Sequence, residues 1–254
     1  MKYAWLVLLV GCSLLAQGCK TLLHEKPPCP WYAVYEPVSY PLAHRFAWDA
    51  FMKAQQAYGP ARVPVRTILL RYTKKLDAYH RYAVAEDFSL TECADASNGL
   101  MVVYVDCLPD DPAFFPTLAH ECAHLLNPYI KDWYMEGFAT LFSDRYCHYL
   151  HYDWSAWEDR FGSPLKKGPY ALSYRMMREL QGACPMEYDR ILHFVAEDDR
   201  GPNALHIDID RWLETLPPER QAEALGIIEK YAPLLHHYAS EKASFTLPQE
   251  LKRK

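Results

Sequence analysis

Apolar residues recur with a helical period over much of this chain. Between residues 42 and 58, Phe46, Ala50 and Ala54 are spaced about one turn apart among polar residues, and Gly59-Pro60 follows, so we predict a helix over 42–58. Further helices are predicted over 111–126, 132–146, 170–180, 187–196, 204–216 and 219–239, and Pro233 is expected to kink or shorten the last of them.

Two segments have the composition of strands. Residues 65–72 are rich in β-branched and aliphatic side chains, and residues 100–105 have the sequence Leu-Met-Val-Val-Tyr-Val after the turn signal Asn98-Gly99. We expect both strands in one small sheet. The predicted fold class is therefore α+β, a small β-sheet packed with a mostly helical body.

The N-terminus has the pattern of an export signal. Lys2 supplies a positive charge, and residues 4–16 form an apolar run that is shorter than a membrane-spanning helix requires. The sequence Leu-Ala-Gln-Gly-Cys ending at Cys19 resembles a bacterial lipobox, which predicts a signal peptide over 1–18 and lipidation of Cys19. Cys12 is a competing lipidation site, and a plain cleaved signal or an uncleaved anchor are the alternatives.

Proline content marks the next boundary. Residues 19–41 contain five prolines and favour an extended spacer, as a lipid-anchored tether requires. The chain has 254 residues, of which 50% are hydrophobic, enough for one domain with a sizeable core. We assign that domain to 42–245 and a solvated tail to 246–254. No later run approaches the length of a spanning helix, so the domain is expected outside the cytoplasm, in a bacterial cell envelope.

Charge and cysteine spacing exclude some classes of function. The net charge of −5 is spread along the chain without a basic stripe, so no nucleic acid partner is expected. Six cysteines follow Cys19, and export permits disulfides, but six thiols allow 15 pairings and the pattern stays open. The absence of a Cys-x-x-Cys pair disfavours a thiolate zinc site.

Metal-binding chemistry is indicated by the segment His120-Glu121-Cys122-Ala123-His124. On a helix this spacing places the two imidazoles one turn apart on one face, where both can bind one zinc ion. Glu121 lies beside them and is placed to act on a water at the metal. The alternative is a pair of surface histidines on an amphipathic helix.

A third ligand follows in Trp133-Tyr134-Met135-Glu136-Gly137-Phe138-Ala139, which places Glu136 in the first turn of the next helix. Two histidines and one glutamate form a catalytic zinc set, because three protein ligands leave a fourth position open. The predicted cofactor is one Zn²⁺ ion. A lone helix-start glutamate favoured by the helix dipole is the alternative interpretation of Glu136.

The two segments together resemble the gluzincins, zinc metallopeptidases that include the peptidase-MA-like group and, more distantly, the aminopeptidase-N-like enzymes. The resemblance implies a zincin-like fold, zinc ligands His120, His124 and Glu136, and Glu121 as general base. Eleven residues separate the second histidine from Glu136, fewer than in the aminopeptidases. Gly99-Leu100-Met101-Val102-Val103 also differs from their Gly-x-Met-x-Asn strand, so aminopeptidase specificity is not expected. The strand 100–105 would bind an extended substrate by edge pairing or serve as an ordinary strand.

A tyrosine facing the metal is also implied by the resemblance. Tyr170, which follows Pro169 before a predicted helix, matches that residue; Tyr174 is the alternative, and a core tyrosine without a catalytic role is another. His148 and His151 are further cleft candidates. Asp144 is either an acceptor for a ligand histidine or an exposed helix charge.

These residues predict a zinc-dependent peptidase in which Glu121 is the general base and Tyr170 helps to hold the oxyanion. The expected partners are a peptide or unfolded protein substrate and a membrane, through the N-terminal lipid; the oligomeric state stays open. Two rival functions remain. One is a non-catalytic binding or scaffold lipoprotein with the same fold, and the other is a zinc hydrolase of a non-peptide amide or ester.

Overall fold

The computed structural model describes residues 35–73, 89–198, 201–239 and 243–252. The predicted signal peptide, Cys12, Cys19 and the spacer up to residue 34 lie outside the described residues.

Helices and strands are numbered here in chain order. The helices are α1 (Pro41–Tyr58), α2 (Phe114–His124), α3 (Trp133–Tyr149), α4 (Ser155–Trp157), α5 (Pro169–Ala183), α6 (Pro185–Tyr188), α7 (Ile209–Glu214), α8 (Pro218–His237) and α9 (Gln249–Lys252). A π-helical turn, Glu158–Gly162, follows α4, and a 3-10 turn, Ile191–His193, follows α6. The strands are β1 (Tyr35–Pro37), β2 (Thr67–Thr73), β3 (Leu90–Asp95), β4 (Leu100–Val105), β5 (Val195–Asp198) and β6 (Gly201–Ile207).

Four strands form one sheet in the order β1-β2-β4-β3. Strands β2 and β4 are parallel, with Ile68 opposite Met101, and β3 pairs antiparallel with β4. Strand β4 is thus paired on both sides and cannot bind a substrate through a free edge, whereas β3 is an edge strand of the described sheet. The two predicted strands do lie in one sheet, and the α+β class is confirmed.

Helix α2 lies in the interior and joins the sheet to the other helices. It packs against β4, β3, α1 and α3, and α3 in turn packs against α5. Leu118, Ala119 and Cys122 have no exposed surface. Because α2 is covered on most sides, its polar residues His120, Glu121 and His124 occupy positions where they need partners.

The C-terminal half differs from the predicted helices. Residues 187–196 and 204–216 were expected to be helical, but Val195–Asp198 and Gly201–Ile207 pair as an antiparallel ribbon, and only Ile209–Glu214 is helical in the second segment. Strand β6 is held by a neighbour distant in sequence, since Leu205 N donates to Tyr129 O at 2.8 Å. A short apolar run is compatible with both the helical and the strand period, and this backbone hydrogen bond stabilises the strand. Helix α8 continues beyond Pro233 to His237.

Secondary structure continues into the segments assigned to the spacer and to the tail. Tyr35–Pro37, assigned to the spacer, forms the edge strand β1, and Val38 is buried. At the other end, Phe245 is buried, and Gln249–Lys252, assigned to the tail, forms a short helix.

Two further features bear on the predictions. The described cysteines are free thiols: Cys93, Cys107, Cys122, Cys147 and Cys184. Among the described residues, no helix combines the length and apolar character needed to cross a membrane.

Candidate metal centre

Helix α2 brings its two histidines together as their spacing predicts. The Nε2 atoms of His120 and His124 lie 3.3 Å apart, one helical turn separating the residues. The residue His120 is 5% exposed and His124 8%, so the imidazoles are largely withdrawn from water.

Helix α3 adds the carboxylate. Glu136 Oε2 lies 3.3 Å from His120 Nε2 and 3.7 Å from His124 Nε2, and the ligand atoms of the three residues all lie within 4.8 Å of one another. Ligands bound at about 2.0–2.1 Å to a tetrahedral zinc ion are separated by about 3.3–3.4 Å. The three side chains therefore fit a single metal ion of this size.

A helix break and a cap align α3 with α2. The chain turns after His124, where Asn127 N donates to His124 O at 3.1 Å. Asp132 then caps α3, its side chain accepting from Met135 N at 2.7 Å. Because the cap fixes the first turn of α3, it fixes the position of Glu136.

The charges of neighbouring candidate ligands change the pKa values of Glu136 and His124. Burial would raise the pKa of Glu136, but the imidazoles of His124 and His120 outweigh it and hold that pKa well below its usual range. Burial would lower the pKa of His124, and the Glu136 carboxylate reverses this, so the net change is upward. A cation at this position would replace the proton that the carboxylate favours on His124.

Glu121 is turned toward the sheet edge beside the ligands. Its Oε2 lies 2.9 Å from the hydroxyl of Thr91 on β3, and that hydroxyl is also 2.7 Å from the Glu121 carbonyl oxygen. Burial raises the pKa of Glu121, and the charges of His124 and His120 oppose the rise. A raised pKa suits a carboxylate that must take up a proton during a reaction.

Thr140 determines the tautomer of His120. Its hydroxyl donates to Glu136 O at 2.8 Å, so it accepts from His120 Nδ1, which lies at 3.2 Å. With the proton held on Nδ1, the Nε2 lone pair of His120 is free to bind a metal.

A cleft of about 350 Å³ opens beside these residues. Tyr170 lies in its wall, with its ring centroid 6.4 Å from that of His120. The charge of Glu136 and burial raise the pKa of Tyr170 well above its usual range. The described residues that line the cleft are Ser89, Asp106, Thr117, His120, Glu121, Thr140, Trp157, Arg160, Phe161 and Tyr170.

The other candidates from the sequence lie outside this cleft. Tyr174 has no exposed surface, and its hydroxyl donates to Asp144 Oδ2 at 2.8 Å. Asp144 also pairs with His148 at 2.8 Å, so its contacts are with these two residues instead of a ligand histidine. The side chain of His148 is 67% exposed, and His151 is exposed.

A second cavity, of about 410 Å³, lies between α1 and α3 and contains none of the candidate ligands. It is lined by Lys53, Gln56, Ala57, Tyr58, Phe142, Arg145, Tyr146 and Tyr149. We place the candidate site in the smaller cleft, because of these two cavities it is the one at which described metal-binding and acid–base groups converge.

Three residues at the site, Thr91, Thr140 and Arg160, were not predicted from the sequence. Thr140 lies one turn after Glu136, so helical spacing alone could have placed it on the same face as that carboxylate. Thr91 and Arg160 carry no such signal, because their proximity to the site depends on strand pairing and on a turn between helices.

Comparison of the chain with protein-family models, with curated proteins and with solved structures gives no match. The chemistry of the site is therefore argued from the residues of this chain.

Proposed function

We propose that this protein is a zinc-dependent peptidase with a zincin-like fold of the gluzincin type. The observation that carries the proposal is the convergence of His120, His124 and Glu136 at ligand spacing, with the buried carboxylate of Glu121 beside them. Three ligands leave one position of a tetrahedral ion open, as catalytic zinc requires.

When bound, zinc would act as a Lewis acid that polarises water and the scissile carbonyl. Glu121 takes a proton from the attacking water and later returns it to the leaving amine. Tyr170 donates a hydrogen bond to the carbonyl oxygen as negative charge develops there. Thr91 orients Glu121 for this transfer, since its hydroxyl lies within hydrogen-bonding distance of the carboxylate.

A peptide is the favoured substrate because an edge strand adjoins the catalytic groups. Strand β3 contacts Glu121 through Thr91, and it is an edge strand of the described sheet. An extended peptide can form main-chain hydrogen bonds with such an edge, which a small non-peptide ester or amide cannot exploit.

The test separates metal binding from the proton transfer. We expect Glu121→Gln to retain one zinc ion per chain while hydrolysis of a peptide library slows by about 10²- to 10⁴-fold. We expect Glu136→Ala to lose metal affinity, because a ligand is removed. Metal content is measured by elemental analysis and hydrolysis by mass spectrometry of the cleaved peptides.

Three outcomes would count against the proposal. Stoichiometric zinc in the Glu136→Ala protein would refute the ligand set. Absence of peptide cleavage by the zinc-loaded parent would favour a non-catalytic binding or scaffold lipoprotein, and equal cleavage by the parent and Glu121→Gln would remove Glu121 from the role of general base.

We also propose that the domain is held at a bacterial membrane by a lipid on Cys19, through the proline-rich spacer. Cys19→Ala should release the protein into the soluble fraction or block its maturation. Fractionation of the variant with membranes, as for the parent, would refute the lipid anchor.

A further inference from the structure

Arg160 is a cleft residue that the proposed mechanism does not use. Among the described residues, it is the only lysine or arginine that lines the cleft. Its guanidinium carbon lies 5.2 Å from the centroid of the Phe161 ring. Glu136 and burial raise the pKa of Tyr170, and the charge of Arg160 acts in the opposite direction. Arg160 and the proposed oxyanion donor Tyr170 line the same cleft.

No carboxylate of the described residues forms an ion pair with Arg160. Asp106, the cleft carboxylate nearest the end of β4, accepts a hydrogen bond from the Ser89 hydroxyl at 2.9 Å instead. The planar donor fork of Arg160 is thus available to a ligand, and such a fork matches a carboxylate with two parallel hydrogen bonds.

The backbone that carries Arg160 is held in place by a buried arginine. Arg175 on α5 is 8% exposed and donates to the carbonyl oxygens of Phe161, Ser163 and Lys166 at 3.2, 2.7 and 2.7 Å. These bonds begin one residue after Arg160. The backbone at the end of the π-helical turn is therefore anchored independently of a ligand, so that little ordering of the backbone is needed when Arg160 binds.

We propose that Arg160 binds a carboxylate of the substrate, so that the site prefers peptides with an acidic group close to the scissile bond. The inference rests on the proposed peptidase function and names its substrate class. An acidic side chain and a free C-terminus present the same carboxylate, and the experiment distinguishes them.

The experiment uses the zinc-loaded full-length protein and matched peptide pairs. One set replaces Glu by Gln at each position flanking the cleaved bond, and the other replaces a free C-terminal acid by an amide. We expect kcat/KM for the acidic member of one set to exceed that of its neutral partner by about tenfold or more, as a charged hydrogen bond permits. In Arg160→Gln the ratio of kcat/KM for the acidic peptide to kcat/KM for the neutral peptide should fall to near one. In Arg160→Glu the neutral peptide should become the better substrate.

Arg178→Gln is the matched control. Arg178 also lies over an aromatic ring, 5.0 Å from the centroid of Tyr174, but it is not among the residues that line the cleft. This variant should keep the parental ratio. A preference for acidic peptides that persists in Arg160→Gln, or equal kcat/KM for every pair in the parent, would overturn the inference.

A binding measurement separates this inference from the peptidase proposal. The dissociation constants of the same peptide pairs are measured by calorimetry with zinc-loaded Glu121→Gln protein. Tighter binding of the acidic peptide that depends on Arg160, without cleavage by the parent, would support the carboxylate site and refute the peptidase. Equal affinity for the acidic and neutral peptides, with cleavage by the parent, would refute the carboxylate site alone.

Discussion

Tyr170 places a phenol in the cleft beside the carboxylates of Glu136 and Glu121. Its pKa is raised by Glu136 and by burial, so the hydroxyl stays protonated at neutral pH and can donate a hydrogen bond. Tyr170→Phe keeps the ring and removes the donor. We expect kcat for peptide cleavage to fall by about 10²- to 10³-fold, with KM and zinc content little changed, in steady-state kinetics and metal analysis.

Tyr174→Phe is the control for this prediction. The Tyr174 hydroxyl is engaged with Asp144, away from the cleft, so its loss should affect thermal stability more than kcat. Parental kcat in Tyr170→Phe would remove this residue from the mechanism. A large fall in kcat in Tyr174→Phe alone would contradict the placement of both side chains.

Thr140 is a second residue whose role is decided by a single hydroxyl. Thr140→Val preserves the shape of the side chain but leaves the Nδ1 proton of His120 buried without its acceptor. We expect zinc affinity, measured by competition with a chromogenic chelator, to fall by about 10- to 100-fold. Thr140→Ser should restore most of that affinity, because it restores the hydroxyl.

Thr117→Val serves as the comparison. Thr117 lies one turn before His120 on α2 and is likewise buried in the cleft wall, and it contacts no proposed ligand through a described hydrogen bond. Equal zinc affinities in the Thr140→Val and Thr117→Val proteins would show that the tautomer argument is wrong.

At the scale of the elements, the crossing of α3 and α5 depends on Gly137, the residue after Glu136. A Cβ atom at this position would overlap the carbonyl oxygen of Ser173 on α5, which is backbone and cannot rotate away. Gly137→Ala should therefore force α3 and α5 apart, displacing Glu136 from Tyr170. We expect a loss of about 1–3 kcal/mol in unfolding free energy, measured by denaturant titration, together with weaker zinc binding.

Gly226→Ala is the control, because Gly226 lies inside α8, where an added Cβ would have nothing within 4 Å of it. There the change should be neutral or stabilising by up to about 1 kcal/mol, since alanine favours the helix. If Gly137→Ala were equally harmless, the close approach of the two helices would not limit the site.

At the scale of the whole molecule, Asp132 joins three distant parts of the chain. Its buried carboxyl group caps α3 and also accepts from the backbone N–H of Ile207 on β6. Next to it, Trp133 N donates to Ser244 O at 2.9 Å, which attaches the C-terminal segment. The first turn of α3, which carries Glu136, is therefore stabilised by residues more than seventy positions away.

Burial raises the pKa of Asp132 to about 7, although its hydrogen bonds with Ile207 and Met135 oppose the rise. An acid whose folded pKa exceeds its unfolded value stabilises the fold fully below the unfolded pKa, about 4, and this contribution is lost as pH rises through about 7. Asp132→Asn should be less stable than the parent at pH 5, and the difference in unfolding free energy should narrow at pH 8.

The measurement is denaturant unfolding of both proteins in chelator, so that metal binding does not contribute to the pH dependence. Asp208→Asn provides a matched control, because Asp208 caps α7 by accepting from Arg211 N in a hydrogen bond that is exposed to solvent. This variant measures the loss of a helix cap without the loss of a buried acid. A difference for Asp132→Asn that is constant or widens toward pH 8 would contradict the buried-acid argument.

The sequence by itself determined the positions of the candidate metal-binding residues, the small sheet and the α+β class. His120 and His124 are one turn apart on any helix, and Asp132 and Glu136 start the next helix, so local geometry and capping decide these positions. The strand 100–105 was predicted at its observed bounds because a continuous apolar run of that length suits a buried central strand. Zinc and peptide hydrolysis remain predictions drawn from the candidate metal-binding residues.

Tertiary structure alone decided which other side chains reach the site. Thr91 contacts Glu121 from a residue 30 positions away, and this contact depends on the register of β3 against β4. Tyr170 was the favoured candidate from the sequence and Tyr174 its alternative, but only the packing of α5 on α3 shows that Tyr170 lines the cleft and that Tyr174 is buried. Residues 204–207, which belong to the strand Gly201–Ile207, were wrongly predicted as helix for the same reason. Contacts between segments distant in the chain leave no periodic trace in the sequence, because they depend on chain reversals whose geometry no local pattern encodes.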